Sequence, residues 1–202
     1  MRSEFITAIN ANQAAFGMQL APDKIERLAD YYEFVLEHNA ILHLVAPAGA
    51  EEIAVRHILE SLMLLEFLPE YANFADVGAG AGLPSIPCLV VRDDLRATLI
   101  ESKEKKTKFL NEAVQSLGLA TRVELVNRQF EETEAGDFGF VACRALDKFT
   151  NKLPKLRRWA KSRTMLLFGG PNLENALREQ KIGFDRRLMP LSEQRFLFIV
   201  RN

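Results

Sequence analysis

Asp76-Val77-Gly78-Ala79-Gly80-Ala81-Gly82-Leu83-Pro84 stands between a short apolar run, Phe74 to Val77, and a helix pattern, Ser85 to Val91, and its reading decides the fold. Glycines without a Cβ let the chain turn sharply at a strand end and let a ligand lie against bare backbone. The spacing is G-x-G-x-G with Pro84 at the helix start, one residue short of the G-x-G-x-x-G of a dinucleotide loop. No G-x-x-x-x-G-K-[ST] occurs, which argues against a nucleoside triphosphate bound by that route. Glu101 ends the next apolar run, 19 residues beyond Gly82. A carboxylate there can accept both hydroxyls of a ribose. Neighbouring parallel strands end side by side, so loop and acid face one crevice.

Working outward, the hydrophobic period differs on the two sides of this loop. Before it, three helical patterns cover Ser3 to Phe16, a segment that opens at Pro22, and Ala50 to Phe67. After it, strand-like runs at Phe74 to Val77, Ala97 to Ile100, Val123 to Val126, Phe138 to Cys143, Thr164 to Phe168, Phe184 to Leu188 and Arg195 to Val200 alternate with helices at Ser85 to Val91, Lys103 to Leu117, Phe130 to Glu134, Leu146 to Trp159 and Asn172 to Gln180. Such alternation predicts a parallel sheet with helices on both faces. Only Met189 to Gln194 joins the last two strands, too few residues for a parallel crossover, so they close as an antiparallel hairpin if they are neighbours. The expected division is a helical section over residues 1–70 and an α/β core over 71–202.

Composition sets the class. The 202 residues carry 26 Lys+Arg against 27 Asp+Glu with 48% hydrophobic residues, which fits a globular chain and excludes disorder, collagen and coiled coil. Cys88 and Cys143 lie in apolar segments without C-x-x-C spacing and read as reduced core cysteines, with no structural zinc. The longest apolar runs, such as Ser61 to Leu68, fall short of the ~20 residues that span a bilayer. The N-terminus lacks a secretory signal pattern, so a cytoplasmic protein without membrane association is expected. Charge is lopsided: residues 1–75 hold 4 basic and 11 acidic side chains, residues 76–202 hold 22 and 16. From Arg144 to Arg163, eight basic residues face Asp147 alone, a local basic field suited to phosphates or simply a solvated helix face.

An acid at Glu101 suits either a nicotinamide dinucleotide or S-adenosylmethionine. The D-V-G-x-G-x-G form of the loop resembles the methyltransferase motif, in which a methionine end replaces pyrophosphate. Asp76 would repel a pyrophosphate and can suit the cofactor's ammonium group, directly or through water. Further segments then fall into one pattern. Arg56-His57-Ile58-Leu59-Glu60-Ser61 resembles R-H-I-x-D-S, and Asp76 to Pro87 resembles D-V-G-x-G-x-G-L-P-G-I-P. Glu101 to Lys106 with Phe109-Leu110 resembles D-S-x-x-K-R-x-x-F-L, and Cys143-Arg144-Ala145 resembles S-R-A. In that order, from about Tyr31 to the C-terminus, the chain resembles the glucose-inhibited division protein B family, the ribosomal RNA small subunit methyltransferases G. It departs at His38 to Val45, where the family reads W-N-x-x-x-N-L-T and only Asn39 and Leu44 are kept, and at Phe168-Gly169-Gly170, where a family lysine is missing.

The resemblance implies a Rossmann-like class I methyltransferase fold: a seven-stranded, mostly parallel sheet with an antiparallel final strand, plus N-terminal helices. It implies methyl transfer from S-adenosylmethionine to N7 of a guanosine in the 530 loop of bacterial 16S rRNA. The expected partner is 16S rRNA or the small ribosomal subunit, and the expected state a monomer. Other acceptors (another RNA, a small molecule or a protein) and an inactive RNA-binding module remain open alternatives. Gly78, Gly80 and Leu83 are expected at the methionine end of the cofactor, Ala79 and Gly82 also in the cofactor site, Glu101 at its ribose, and Gln129 and Phe130 at its adenine through backbone amides, with Phe130 reading equally as core. Arg144 is expected near both cofactor and substrate, with no catalytic base and no metal. Lys103, Lys148 and Lys155 join Arg144 as candidate RNA contacts, His57 is expected to make a structural hydrogen bond, and Trp159 is either core or a stacking platform.

Overall fold

The computed structural model describes residues 1–144 and 149–201. The helical section comprises α1 (Arg2–Asn12), α2 (Pro22–Leu42), α3 (Ala50–Glu52) and α4 (Glu60–Leu62). Pro22 sits in the first turn of α2, where its missing N–H costs nothing. A wide π-helical stretch, Ile53–Leu59, links α3 to α4, and a 3₁₀ turn, Met63–Phe67, ends the segment before Pro69. The alternating part follows as β1 (Asn73–Val77), α5 (Ser85–Val91), β2 (Arg96–Ile100), α6 (Glu104–Ser116), β3 (Val123–Val126), β4 (Phe140–Cys143), α7 (Phe149–Ala160), β5 (Thr164–Gly169), α8 (Pro171–Glu179), β6 (Asp185–Leu188) and β7 (Phe196–Val200). The seven strands expected from the sequence are all present. The short helix expected at Phe130 to Glu134 is a single 3₁₀ turn, Phe130–Glu132, and residues 146–148 of the helix expected from Leu146 lie outside the described residues.

The strands form one sheet in the order β3-β2-β1-β4-β5-β7-β6. Every pair from β3 to β5 is parallel; β7 runs antiparallel to both β5 and β6. The connector before β7, Met189 to Arg195 and one residue longer than expected, therefore does what its shortness requires. Chain order reverses between β1 and β4, and at such a switch point the loops leaving two adjacent strands part and open a crevice at their carboxyl ends.

Helices cover both faces of the sheet, which is why strands such as Met165-Leu166-Leu167-Phe168 read as unbroken apolar runs. Alternate residues divide between two clusters, as a period of two demands. Phe74, Leu166, Phe168, Leu197 and Ile199 pack with Phe5, Leu28, Ile58, Leu62 and Leu110, so the N-terminal helices complete one face of the sheet. Ala75, Val77, Leu167, Phe198 and Val200 pack with Leu153, Leu156, Leu173 and Leu177 of α7 and α8 on the other. Both cysteines are buried and neither is in a disulfide.

Gly82 shows how tightly the decisive loop is seated. Its φ is +89°, and a Cβ there would fall 2.4 Å from Ile86 Cδ1 and 3.2 Å from Leu110 Cδ2. Gly82→Ala is therefore expected to cost about 1–3 kcal/mol of stability in urea denaturation, through overpacking and a left-handed backbone. Gly139→Ala, where nothing lies within 4 Å of the added methyl, is expected to stay within ~0.5 kcal/mol of the parent. Equal effects at the two positions would contradict the packing assigned to the loop.

Candidate functional site

The loop after β1 is held from β2. The N–H groups of Gly78 and Ala79 donate to the carbonyl of Ile100 at 2.9 and 3.2 Å. Gly78, Gly80 and Gly82 all have positive φ, 75°, 56° and 89°, the left-handed region that side-chain residues avoid. Glu101, 7% exposed, is fixed by two backbone donors: Gly80 N–H to Oε2 at 3.0 Å and Lys103 N–H to Oε1 at 2.8 Å. Each carboxylate oxygen has a second acceptor site to offer. From the other side, Tyr31 of α2 donates its hydroxyl to the carbonyl of Ala81 at 2.7 Å, tying the helical section to the loop.

Over this loop lies a cavity of about 500 Å³, within the ~300–1,000 Å³ typical of small-molecule sites. Gly78, Ala79, Gly80, Leu83, Glu101, Lys103, Gln129 and Arg144 all line it, so the structure gathers most of the residues singled out from the sequence. Two expected cofactor residues do not line it. Gly82 turns its Cα toward Ile86 and Leu110, which gives it a packing role. The Phe130 side chain is 2% exposed and belongs to the core beside Trp159. Trp159 is likewise core, with its indole N–H donating to the carbonyl of Thr133 at 2.9 Å. Lys155 is outside the cavity on the exposed face of α7, 4.0 Å from Glu131, and Lys148 lies outside the described residues.

The cavity also has walls that sequence reasoning did not assign. Leu44, Val45 and Ala46 close one side. Asn39 holds them, accepting from the N–H groups of Leu44 and Val45 at 2.8 and 2.9 Å and donating to the Val45 carbonyl at 3.0 Å. Its retention amid a divergent segment was the available signal. Lys106 and Lys152 complete the rim. His57 lines the cavity too, but Nδ1 is buried without a partner, so that ring nitrogen lacks the expected structural hydrogen bond. Burial first, then Arg144 and Arg56, lowers the His57 pKa to about 4, leaving the imidazole neutral at neutral pH.

Arg144 leaves the end of β4 and spans to the helical section. Nη1 donates to Ser61 Oγ at 3.0 Å, Nη2 donates to the Arg56 carbonyl, and Glu60 lies 3.7 Å away. Glu60, 2% exposed, also accepts from Arg195 Nε at 2.7 Å. Burial pushes its carboxyl up and the two guanidinium groups oppose that. Two segments far apart in sequence, Arg56 to Ser61 and Cys143-Arg144, thus meet at one charged joint.

Asp76 lies beneath the loop, fully buried, which leaves the route through water of the two expected for a ligand ammonium. Oδ2 accepts from Ser85 Oγ at 2.5 Å and Oδ1 has no partner. Among the described residues no His, Cys, Asp and Glu cluster suits a metal ion, and no helix is long and apolar enough to cross a membrane.

Comparison with known proteins agrees with this geometry. The family model described as rRNA small subunit methyltransferase G matches residues 24–186. A curated relative from Pelotomaculum thermopropionicum, named ribosomal RNA small subunit methyltransferase G, is 36% identical over 138 residues, which is 64% of this chain and 57% of that protein. One of the same name from Sorangium cellulosum is 34% identical over 174 residues, 82% of this chain and 72% of the relative. Among solved structures, a SAM dependent methyltransferase from Aquifex aeolicus superposes with a TM-score of 0.58 at 18% identity, over 74% of this chain and 93% of that one. The fold is thus that of the Rossmann-like S-adenosylmethionine-dependent methyltransferases.

The buried acid yields a pH test. Asp76 is pushed up from 3.8 to about 7, chiefly by burial and further by the Glu101 charge, against the pull of Ser85 and Arg144. A carboxyl whose folded pKa is raised contributes fully below its unfolded value near 4, and loses that contribution as pH rises to about 7. Asp76→Asn keeps an acceptor for Ser85 without the charge. Relative to the parent it is expected to gain on the order of 2 kcal/mol or more between pH 4 and pH 8 in urea denaturation, at ~1.4 kcal/mol per pKa unit. Parallel pH profiles would refute it.

Proposed function

The chain belongs to the rRNA small subunit methyltransferase G family, and we propose that it transfers a methyl group from S-adenosylmethionine to N7 of a guanosine in the 530 loop of bacterial 16S rRNA. The observation that carries the cofactor is the Glu101 carboxylate, pinned by Gly80 and Lys103 amides at the edge of a cavity floored by glycine backbone. The residues fit the group. Glu101 has free lone pairs for two ribose hydroxyls, and the space above Gly80 is clear, since a Cβ there would meet only Gly78 O at 3.7 Å. Gln129 stands where the loop after β3 meets the adenine side. Leu83 and the Leu44 to Ala46 wall exclude water. Residues 1–70 then act as the cover of the site and 71–202 as the cofactor core.

Held by Glu101 and the glycine loop, S-adenosylmethionine would supply an electrophilic sulfonium methyl to the guanine N7 lone pair, with the C–S bonding pair left on sulfur. Guanine N7 carries no proton, so the chain needs no general base, and the titratable groups around the cavity agree. His57 is neutral and half-buried, and Asp76 is sealed below the loop. What the residues do is hold: positioning two reactants in line is worth ~7–11 kcal/mol. Arg144 orients the acceptor side, and Lys103 at the rim, with Lys155 and its basic neighbours on α7, meets RNA phosphates. The acceptor is the small-subunit RNA, alone or within the subunit, in the cytoplasm, and the protein acts as a monomer.

Glu101→Ala is expected to weaken S-adenosylmethionine binding at least tenfold in titration calorimetry while the fold is kept. Unchanged affinity would remove Glu101 from the site. Tritiated methyl should enter 16S RNA, as naked RNA, precursor or small subunit, and map to a 7-methylguanosine. Lys155→Ala should reduce the slope of log affinity against log salt by about 1 without moving the cofactor affinity. Failure of methyl entry on every RNA form would overturn the assignment.

A further inference from the structure

Beside the cofactor cavity is a second hollow of about 230 Å³, and Arg144 lines both. It lies past the carboxyl ends of β4 and β5, where Phe168-Gly169-Gly170 leaves the sheet, and its far wall is Met189, Arg195 and Phe196. The volume is below the ~300 Å³ at which small-molecule sites begin, a size for one planar base rather than a whole nucleotide. Its walls are chemically split. The Phe168 and Phe196 rings are apolar, and the guanidinium of Arg144 lies 5.5 Å from the Phe168 ring centre. Set into the hollow is the carboxylate of Glu60, 2% exposed, engaged by Arg195 Nε at 2.7 Å and with Arg144 at 3.7 Å.

A carboxylate offers about four acceptor sites, and the one Arg195 hydrogen bond leaves Glu60 able to accept more. Bases differ in what they offer such an acceptor. Guanine presents two neighbouring donors, N1–H and the N2 amino group, on the edge away from N7. Adenine presents a lone pair at N1, which the carboxylate repels, and pyrimidines have no N7. We propose that this hollow receives the acceptor guanine and that Glu60 is the specificity-determining residue, accepting from N1–H and N2–H and so turning N7 out toward the cofactor cavity. Arg144, at the shared wall, separates and aligns the two ligands. This rests on the N7 reading above and adds to it which side chain selects the base and which edge it grips.

Three small subunits test it, reconstituted with 16S RNA ligated so that the target nucleotide is guanosine, inosine (which lacks only the N2 amino group) or 7-deazaguanosine (which lacks only N7). With the parent protein, inosine should lower kcat/KM for methyl transfer at least tenfold, because one donor to Glu60 is gone. Glu60→Gln should bring the guanosine-to-inosine ratio within threefold, Glu60→Asp should restore the preference, and S-adenosylmethionine affinity should stay within threefold of the parent in both. Equal transfer to guanosine and inosine by the parent overturns the pocket alone, and needs no variant to fold. A Glu60→Gln ratio as large as the parent's, or a loss confined to cofactor affinity, also overturns it. No transfer to guanosine, or transfer to 7-deazaguanosine, ends the N7 reading itself and the pocket with it.

Discussion

The molecule depends on how the end of β2 holds the loop leaving β1. In parallel register Val77 lies beside Ile100, so the Ile100 carbonyl is free at the strand end to take two N–H groups, from Gly78 and Ala79, and Glu101 takes a third, from Gly80. A loop gripped this way must curl back on itself within five residues, which needs the positive φ that three glycines provide. The same grip points the loop's remaining backbone into the crevice and starts α5 against the sheet, where Gly82 lets Ile86 and Leu110 close. Cavity floor, buried carboxylate and helix packing are therefore consequences of one short set of backbone hydrogen bonds.

Three buried carboxyls surround that crevice, and each is accommodated by different partners. Glu101 takes backbone amides, Asp76 takes a hydroxyl, and Glu60 takes guanidinium groups. Ionised groups out of water are tolerable only when so satisfied, and the differences have consequences. Asp76, with a single hydroxyl partner and one orphaned oxygen, is the one pushed up to about 7. Glu60 is bound to the sheet's last strand through Arg195 and lies within reach of Arg144 at the end of β4, so a charge carried on a helix becomes a joint between the helical section and the core. Removing one partner of such a buried pair strands the other, which is why it constrains geometry more than it adds stability.

Much of this was legible in the sequence, and what was not shares a cause. The switch of period near residue 74, the short connector before β7 and the spacing from Gly82 to Glu101 are local features, whereas the sheet order pairs strands distant in sequence, β1 with β4 and β5 with β7, and only the family resemblance implied it. The division of the loop glycines was hidden, because Gly80 and Gly82 look alike until Ile86 and Leu110 are placed around one of them. Phe130 shows a similar ambiguity: an apolar residue after a strand reads equally as ligand wall or core, and its side chain packs beside Trp159. The π-helical stretch that presents His57 has no sequence signature of its own, and the Arg144 bond to the Arg56 carbonyl joins residues 88 positions apart. Asn39 is the instructive exception. Its side chain serves the backbone of Leu44 and Val45, so it could be kept while the neighbouring side chains changed.

The charges around the crevice bear on what kind of catalyst this is. Moving a methyl from a sulfonium to guanine N7 neither creates nor destroys charge; the positive charge passes from sulfur to the base. A site for such a step has no developing anion to stabilise, and an oxyanion-hole arrangement of donors would have nothing to act on. The residues here conform to that demand. His57 stays neutral because burial and two nearby arginines oppose its protonation, which avoids placing a further cation beside a donor that is itself cationic. Glu60 sits where a base that is becoming positive would gain from a carboxylate, and Arg144 and Arg195 oppose the upward shift that burial gives its carboxyl. An enzyme acting by alignment needs its parts rigid more than reactive, and the joints described here are short-range locks: amide to carboxylate at Glu101 within the loop, and hydroxyl to carbonyl at Tyr31 and guanidinium to carbonyl at Arg144 between the helical section and the core.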